Sequence, residues 1–168
     1  QAKNVTLAKT SYTYNGKVQK PDVKVKNVKG KVLTSADYTV IYASGRKNVG
    51  SYTVTVKMKG NYSGSFTKTF RILPKGTKFT SVKAAKKSFT AKWSAQKTQT
   101  TGYQLQYTTD KKFKKSVKTV TTSKNTVVKT TVKKRAAKKS YYVRIRTYKT
   151  VKINEKNTKL YSVWSPVK

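Results

Sequence analysis

A chain of 168 residues can form one large domain or two small ones. This chain has 40 basic residues against 4 acidic ones, a formal charge of +36 at pH 7. It has no Cys and no His, which excludes disulfides, thiol nucleophiles, Cys/His zinc sites and imidazole bases. Thr, Val and Tyr recur while Leu, Ala and Glu are scarce, so the composition predicts an all-β fold.

Apolar and polar side chains alternate along the first half, as in strands with one buried face. The predicted strands lie around Val23 and Val25, at Tyr38 to Tyr42, at Tyr52 to Met58 and at Phe66 to Ile72. Turn-forming dipeptides separate them: Asn15-Gly16, Lys29-Gly30, Ser44-Gly45, Val49-Gly50, Gly60-Asn61 and Ser63-Gly64. Short strands at this spacing indicate a sandwich or barrel.

A boundary is predicted at Leu73-Pro74-Lys75-Gly76, because Pro cannot donate to a central strand ladder. We therefore expect two tandem β-sandwich domains, residues 1–73 and 77–168, joined by a linker at 74–76. The second half repeats the strand pattern. Its predicted strands contain Phe89 to Trp93, Tyr103 to Tyr107, Val117 and Val120, Val127, Tyr141 to Ile145, and Leu160 to Val167.

The first domain resembles a known family through several ordered segments. They are Tyr14-Asn-Gly16-Lys-Val-Gln-Lys-Pro21, Asp37-Tyr38-Thr-Val40-Ile-Tyr42, Asn48-Val-Gly50 and Gly60-Asn61-Tyr62-Ser-Gly64. They are similar to the bacterial Ig-like repeats of surface proteins from gut Firmicutes. Ala36 departs from the pattern, since a Gly often stands there. The resemblance implies an Ig-like sandwich.

Residues 77–168 resemble a fibronectin type III domain. Trp93 matches the buried tryptophan of strand B, Gly102 to Tyr107 look like strand C, and Tyr141 to Arg146 look like strand F. The resemblance makes Tyr141 the corner tyrosine, whose hydroxyl bonds back to the preceding loop. Arg135 departs from the family, which usually has Leu six residues before that tyrosine.

The ending Tyr161-Ser-Val-Trp164-Ser165 is similar to the WSxWS-type motif of cytokine-receptor fibronectin domains, where arginines of strand F interleave with aromatic rings. If Val143 and Ile145 point inward, alternate residues of that strand point outward. The resulting candidate partner-binding face consists of Tyr142, Arg144, Arg146, Tyr148 and Trp164. Two interpretations are open: local packing that covers the sheet, or a docking surface of the Trp, Tyr and Arg types that anchor interfaces.

The lysine excess also has two explanations. Lysines keep a β-protein soluble and blunt strand edges, but solubility alone ordinarily uses both signs of charge. A one-sign surface indicates a polyanionic partner such as teichoic acid, glycosaminoglycan or sialylated mucin. Sequence-specific nucleic-acid binding is not expected, because no helix-turn-helix, RRM, KH or zinc-finger pattern is present.

No catalytic constellation is evident. Asp22 and Asp37 stand where Asp commonly bonds its own backbone in turns, and no serine is distinguished as a nucleophile. We expect no enzyme activity, cofactor or metal site, no membrane span, and a monomer. If the protein is exported, its export signal and anchor are expected outside this sequence.

The predicted function is a non-catalytic, extracellular binding and spacer module of a bacterial surface or secreted protein, held to anionic wall or host polymers by its basic surface. The alternative is a specific ligand of a host receptor, immunoglobulin or matrix protein that acts through the fibronectin-type domain.

Overall fold

The computed structural model describes the backbone of residues 2–168 and the side chains of residues 4–168. It divides into two compact units, Gln1–Leu73 and Pro74–Lys168. The described residues form thirteen strands and no helix, which confirms the predicted all-β class. Accordingly, residues 2–168 offer no helix long and apolar enough to cross a membrane.

The first unit is a sandwich of two sheets. Its strands are β1 (Ala2–Leu7), β2 (Ser11–Thr13), β3 (Val23–Asn27), β4 (Tyr38–Tyr42), β5 (Gly50–Met58) and β6 (Ser65–Leu73). One sheet pairs β1 with β3, and the other has the order β2-β6-β5-β4. All pairs are antiparallel except β2 with β6.

Alternation along β5 explains the core of this unit. Val54 and Val56 are fully buried, and between them Thr55 faces the other side of the sheet. Val56 packs with Val5 and Val25 of the facing sheet. Burial of each such side chain stabilises the fold by roughly 1.5–3 kcal/mol.

Seven strands build the second unit. They are β7 (Phe79–Ala85), β8 (Ser88–Trp93), β9 (Gly102–Thr108), β10 (Lys118–Thr122), β11 (Lys129–Val132), β12 (Tyr142–Ile153) and β13 (Lys156–Tyr161). One sheet has the order β11-β8-β7 and the other β10-β9-β12-β13, all antiparallel.

The core of the second unit lies between these sheets. Trp93 of β8 is 3% exposed, and its ring packs against that of Tyr103 of β9 with the ring centres 5.4 Å apart; Tyr103 is fully buried. The Tyr103 hydroxyl accepts a hydrogen bond from the Gln96 N–H and donates one to the Asn125 carbonyl, both 2.8 Å long. The predicted inward position of Trp93 is confirmed.

Several predicted boundaries were wrong. Val127 precedes β11, because its N–H bonds the Lys124 carbonyl in a turn. The last strand ends at Tyr161, and Val163 beyond it is 76% exposed. Gly50, predicted as a turn residue, instead begins β5. β1, β2 and β7 were not predicted.

The segment predicted as a linker is tied to the second unit. The Thr147 hydroxyl of β12 donates a 2.8 Å hydrogen bond to the Lys75 carbonyl. Gly76 lies against Ser162, which a Cβ on this glycine would meet at 3.7 Å. Residues 74–76 are therefore anchored rather than loose.

Candidate functional site

The paired strands β9 and β12 bring two arginines and two glutamines together on the outer face of their sheet. Val143 and Ile145 are buried, so the alternate residues Arg144 and Arg146 point away from the core, as predicted. In the strand register Arg144 faces Gln106, and Arg146 faces Gln104.

Each arginine lies between two aromatic rings. The Cζ atom of Arg144 is 4.2 Å from the ring centre of Phe113 and 4.4 Å from that of Trp164. The Cζ atom of Arg146 is 4.2 Å from the ring centre of Trp164 and 3.7 Å from that of Tyr161. We call these five residues the arginine–aromatic stack. Each contact contributes roughly 0.5–1 kcal/mol where the groups are exposed to solvent.

Glutamine side chains fix the planes of both guanidinium groups. Nε and Nη2 of Arg144 donate to Oε1 of Gln106, at 3.0 and 2.7 Å. Arg146 donates in the same way to Oε1 of Gln104, at 2.9 and 2.6 Å. A planar fork suits such paired hydrogen bonds and leaves both guanidinium faces open to aromatic rings.

Burial lowers the pKa of both arginines from the ordinary value. For Arg146 the positive charge of Arg144 acts in the same direction as burial, whereas Tyr161 acts against it. The stack therefore holds two positive charges side by side. The aromatic rings and the amide oxygens, and not a carboxylate, offset the repulsion between them.

Phe113 reaches the stack because Asp110 shapes the loop between β9 and β10. The Asp110 carboxylate accepts hydrogen bonds from the N–H groups of Lys112, Lys114 and Lys115, at 2.9, 2.8 and 3.0 Å. These bonds hold the pKa of Asp110 below its usual value. The Phe113 N–H bonds the Asp110 carbonyl, and φ of Phe113 is +53°, which is uncommon for a bulky residue. Phe113 was not predicted to belong to this site.

Two serines hold Trp164 beside β12. The Ser162 hydroxyl accepts a hydrogen bond from the Thr147 N–H, and the Ser165 hydroxyl accepts one from the Ile145 N–H, both at 3.1 Å. The Ser162 and Ser165 N–H groups donate back to the carbonyls of the same two β12 residues. Hydrogen bonds from residues before and after Trp164 in the chain therefore hold it in place, although it lies outside a regular strand.

Of the five predicted face residues, the structure brings Arg144, Arg146 and Trp164 together. Tyr142 is half-buried opposite Thr108. Tyr148 was expected on the open face, but it is 2% exposed, since its ring packs on Tyr161 at 5.9 Å and Lys159 covers it. Tyr148 is therefore not available to a partner. Gln104, Gln106 and Phe113 complete the site and were not predicted, and Tyr161, which joins them, stands in the ending that resembles the WSxWS-type motif.

The corner tyrosine behaves as the resemblance implied. The Tyr141 hydroxyl accepts a 3.2 Å hydrogen bond from the Ala136 N–H in the preceding loop. Arg135, the departure from the family pattern, places its guanidinium 5.2 Å from the ring centre of Tyr107. The guanidinium thus lies over part of the Tyr107 ring.

Lysines dominate the surface of both units. Among residues 4–168, every lysine except Lys149 is exposed. Two of the acids act in turns: Asp37 accepts hydrogen bonds from the Thr34 N–H and hydroxyl, and Asp110 from its loop. Within residues 2–168 no group of His, Cys, Asp and Glu could hold a metal ion.

Known proteins offer limited likeness. Neither a family profile nor a curated protein sequence matches the chain. Its fold is similar to a segment of two fibronectin type III domains from chicken tenascin, at 17% identity and a TM-score of 0.48, over 96% of this chain and 97% of that one. Domains FN1–FN3 of chicken CNTN1 match at 13% identity with a TM-score of 0.43. Domains A168–A170 of titin match at 16% identity with a TM-score of 0.38. The matches cover 99% and 97% of this chain and 64% and 63% of those chains.

Proposed function

We propose that this chain is a non-catalytic, extracellular binding and spacer module of a bacterial surface or secreted protein. Residues 1–73 form an Ig-like domain and residues 77–168 a fibronectin type III domain. In the second unit the order of the strands supports this assignment. Trp93 lies in the second strand and residues 102–107 lie in the third. Residues 141–146 lie in or beside the sixth strand, and the ending lies in or beside the seventh.

The observation that carries the proposed function is the large excess of positive over negative charge on the solvent-exposed surface. The chain has 35 Lys and 5 Arg against 4 acids, and the described lysines are exposed except for Lys149. Exposed ammonium groups attract counterions, which a polyanion displaces on binding. The basic surface holds the module to anionic wall or host polymers.

Salt dependence tests this proposal. The chain is passed over immobilised sulfated polysaccharide, immobilised poly(glycerol phosphate) and uncharged dextran. We expect retention on the two anionic columns that falls steeply between about 0.05 and 0.5 M salt, since screening and counterion release both act there. Retention on dextran, or retention that salt does not change, contradicts the proposal.

The second candidate function is a specific host-protein ligand, and the arginine–aromatic stack favours it. Its rings and guanidinium groups are half-buried, and Gln104 and Gln106 fix the guanidinium planes. Preorganised Trp, Tyr and Arg side chains suit a docking surface.

A binding screen against purified receptors, immunoglobulins and matrix proteins separates the two functions. Saturable binding to one protein that persists at about 0.15 M salt supports the second function. It must then be lost in the Arg144→Gln/Arg146→Gln variant. Unchanged binding in a variant with lowered thermal stability assigns the stack to packing alone.

A further inference from the structure

A cleft of about 550 Å³ lies at one end of the second unit, between the β7–β8 turn and the loop that precedes β12. Residues 84–88 and 135–141 line it, and we call it the basic cleft. Five of its twelve lining residues are basic, against 40 of 168 in the chain, and none of the twelve is acidic. The five are Lys86, Lys87, Arg135, Lys138 and Lys139.

This concentration of charge distinguishes the basic cleft from other hollows in the molecule. A cavity of about 370 Å³ beside β2 and β6 has Arg71 as its basic lining residue, and one of about 390 Å³ beside β1 and β3 has Lys26. The cleft therefore has more basic lining residues than either of these two cavities.

Hydrogen bonds fix the two walls of the cleft against each other. The Arg135 N–H donates a 2.9 Å hydrogen bond to the Lys87 carbonyl and so joins one loop to the other. The Tyr141 hydroxyl holds the second loop through Ala136. The Arg135 Nε donates to the Lys133 carbonyl at 2.9 Å, and its guanidinium lies over Tyr107. The cationic groups thus project from a preorganised backbone.

Two of the lysines occupy backbone positions that disfavour side chains. φ is +52° at Lys87 and +56° at Lys138, where Gly or Asn is usual. Residues in this conformation cluster at functional sites, although others in this chain, Phe113 and Lys134 among them, do not line the cleft. Lysine there keeps a positive charge at the cleft at some cost in backbone energy.

A smaller hollow of about 150 Å³ adjoins the cleft. The two share Arg135 and Tyr141, and the hollow adds Lys118 at the start of β10. Six basic residues around two adjoining hollows fit a chain with repeated anionic groups better than a single small anion. Small side chains in the cleft, such as Ala84 and Ala136, allow the polymer close to the backbone.

We propose that the basic cleft and its adjoining hollow form a defined binding site for one segment of a linear polymer that carries regularly spaced tetrahedral oxyanions, sulfate esters or phosphodiesters. This rests on the proposed adhesion to anionic polymers and assigns its place on the molecule. Lys ammonium groups and the Arg135 guanidinium pair with successive oxyanions.

The test compares two variants of equal charge. The cleft variant is Lys87→Gln/Lys138→Gln/Lys139→Gln. The matched control is Lys24→Gln/Lys57→Gln/Lys68→Gln, three exposed lysines on strands of the first unit. Isothermal titration with a size-defined heparin oligosaccharide, and separately with poly(glycerol phosphate), measures affinity and stoichiometry, and circular dichroism checks that both variants fold.

We expect one oligosaccharide per chain, with affinity lowered about tenfold or more in the cleft variant and less than about threefold in the control at 0.15 M salt, since distant exposed charges are largely screened. The polymer that binds more tightly identifies the oxyanion. If both variants lose affinity equally, the cleft is not the binding site, while the proposed adhesion through the whole basic surface still stands. If the unaltered chain binds neither polymer, the proposed function fails as well.

Discussion

The Cζ atom of Arg146 lies 3.7 Å from the centre of the Tyr161 ring, so the guanidinium stacks closely on the phenol across the β12–β13 pair. The same guanidinium is held in plane by Gln104 and covered on its other face by Trp164. Its charge, its planarity and its hydrogen-bond fork are all used at once. No other side chain has these three properties together.

Arg146→Lys is therefore expected to destabilise the second unit by about 1–2 kcal/mol, because an ammonium group keeps the charge but cannot stack and donate in one plane. Denaturant unfolding followed by tryptophan fluorescence measures this, since Trp93 and Trp164 both belong to that unit. The control, Lys92→Arg at an exposed position of β8, is expected to change stability by less than about 0.5 kcal/mol. Equal effects of the two variants would show that the stack contributes nothing.

Asp110 should make the β9–β10 loop sensitive to acid. Its pKa lies below the ordinary 3.8, so the ionised form stabilises the folded loop above that pH, and this contribution is lost as the pH falls through the lowered pKa. The amide resonances of Lys112, Lys114 and Lys115 are expected to shift together, with a midpoint below 3.8. A midpoint above that value contradicts the assignment.

Asp110→Asn provides the matched control for that titration. The carboxylate uses Oδ1 for the Lys112 N–H and Oδ2 for the other two, whereas an amide has one acceptor oxygen. The variant should lose part of the loop order at neutral pH and show no acid transition in these amides.

Tyr103→Phe removes a hydroxyl that joins two loops. The Gln96 N–H and the Asn125 carbonyl each lose a partner in a part-buried setting, so stability should fall by about 1–3 kcal/mol with the ring packing on Trp93 retained. Chemical denaturation measures the loss. A neutral effect would mean that water replaces both bonds.

Gly102→Ala should be among the most damaging small substitutions in the second unit. A Cβ on Gly102 would overlap the Thr122 carbonyl and lie 3.1 Å from the Tyr148 hydroxyl, so β10 would have to move. We expect a loss of about 1–3 kcal/mol or more in thermal or chemical unfolding. Gly76→Ala, where a Cβ makes only ordinary contacts at 3.7 Å, is the control and should be nearly neutral. Similar effects would refute the steric argument.

Alternation was enough to predict the long strands. Val54, Val56, Val143 and Ile145 face the core because successive side chains of a strand point to opposite sides. The short β2 and the largely exposed β7 lack a clear apolar face, so the pattern has no signal there. Val127 misled the prediction because a β-branched residue can also stand in a turn.

The candidate site was predicted only in part, because alternation identifies residues on strands but not residues that reach the site from loops. The outward positions of Arg144 and Arg146 follow from the neighbours that alternate with them. Phe113, by contrast, reaches the stack through a loop that Asp110 orders, and no local pattern encodes that approach. Gln104 and Gln106 could have been found, because they flank Leu105 at outward positions of a predicted strand, which the structure pairs with β12.

Beyond Tyr161 the chain still follows β12, but serine hydroxyls instead of backbone carbonyls accept the hydrogen bonds from the Thr147 and Ile145 N–H groups. The segment beside β12 is consequently not a regular strand, and Val163 and Val167 are exposed on it. An approaching strand from another molecule would find no regular row of groups to pair with. A Thr- and Val-rich chain thereby gains protection from edge-to-edge assembly at this border through its own terminal segment, independently of the repulsion among its lysines.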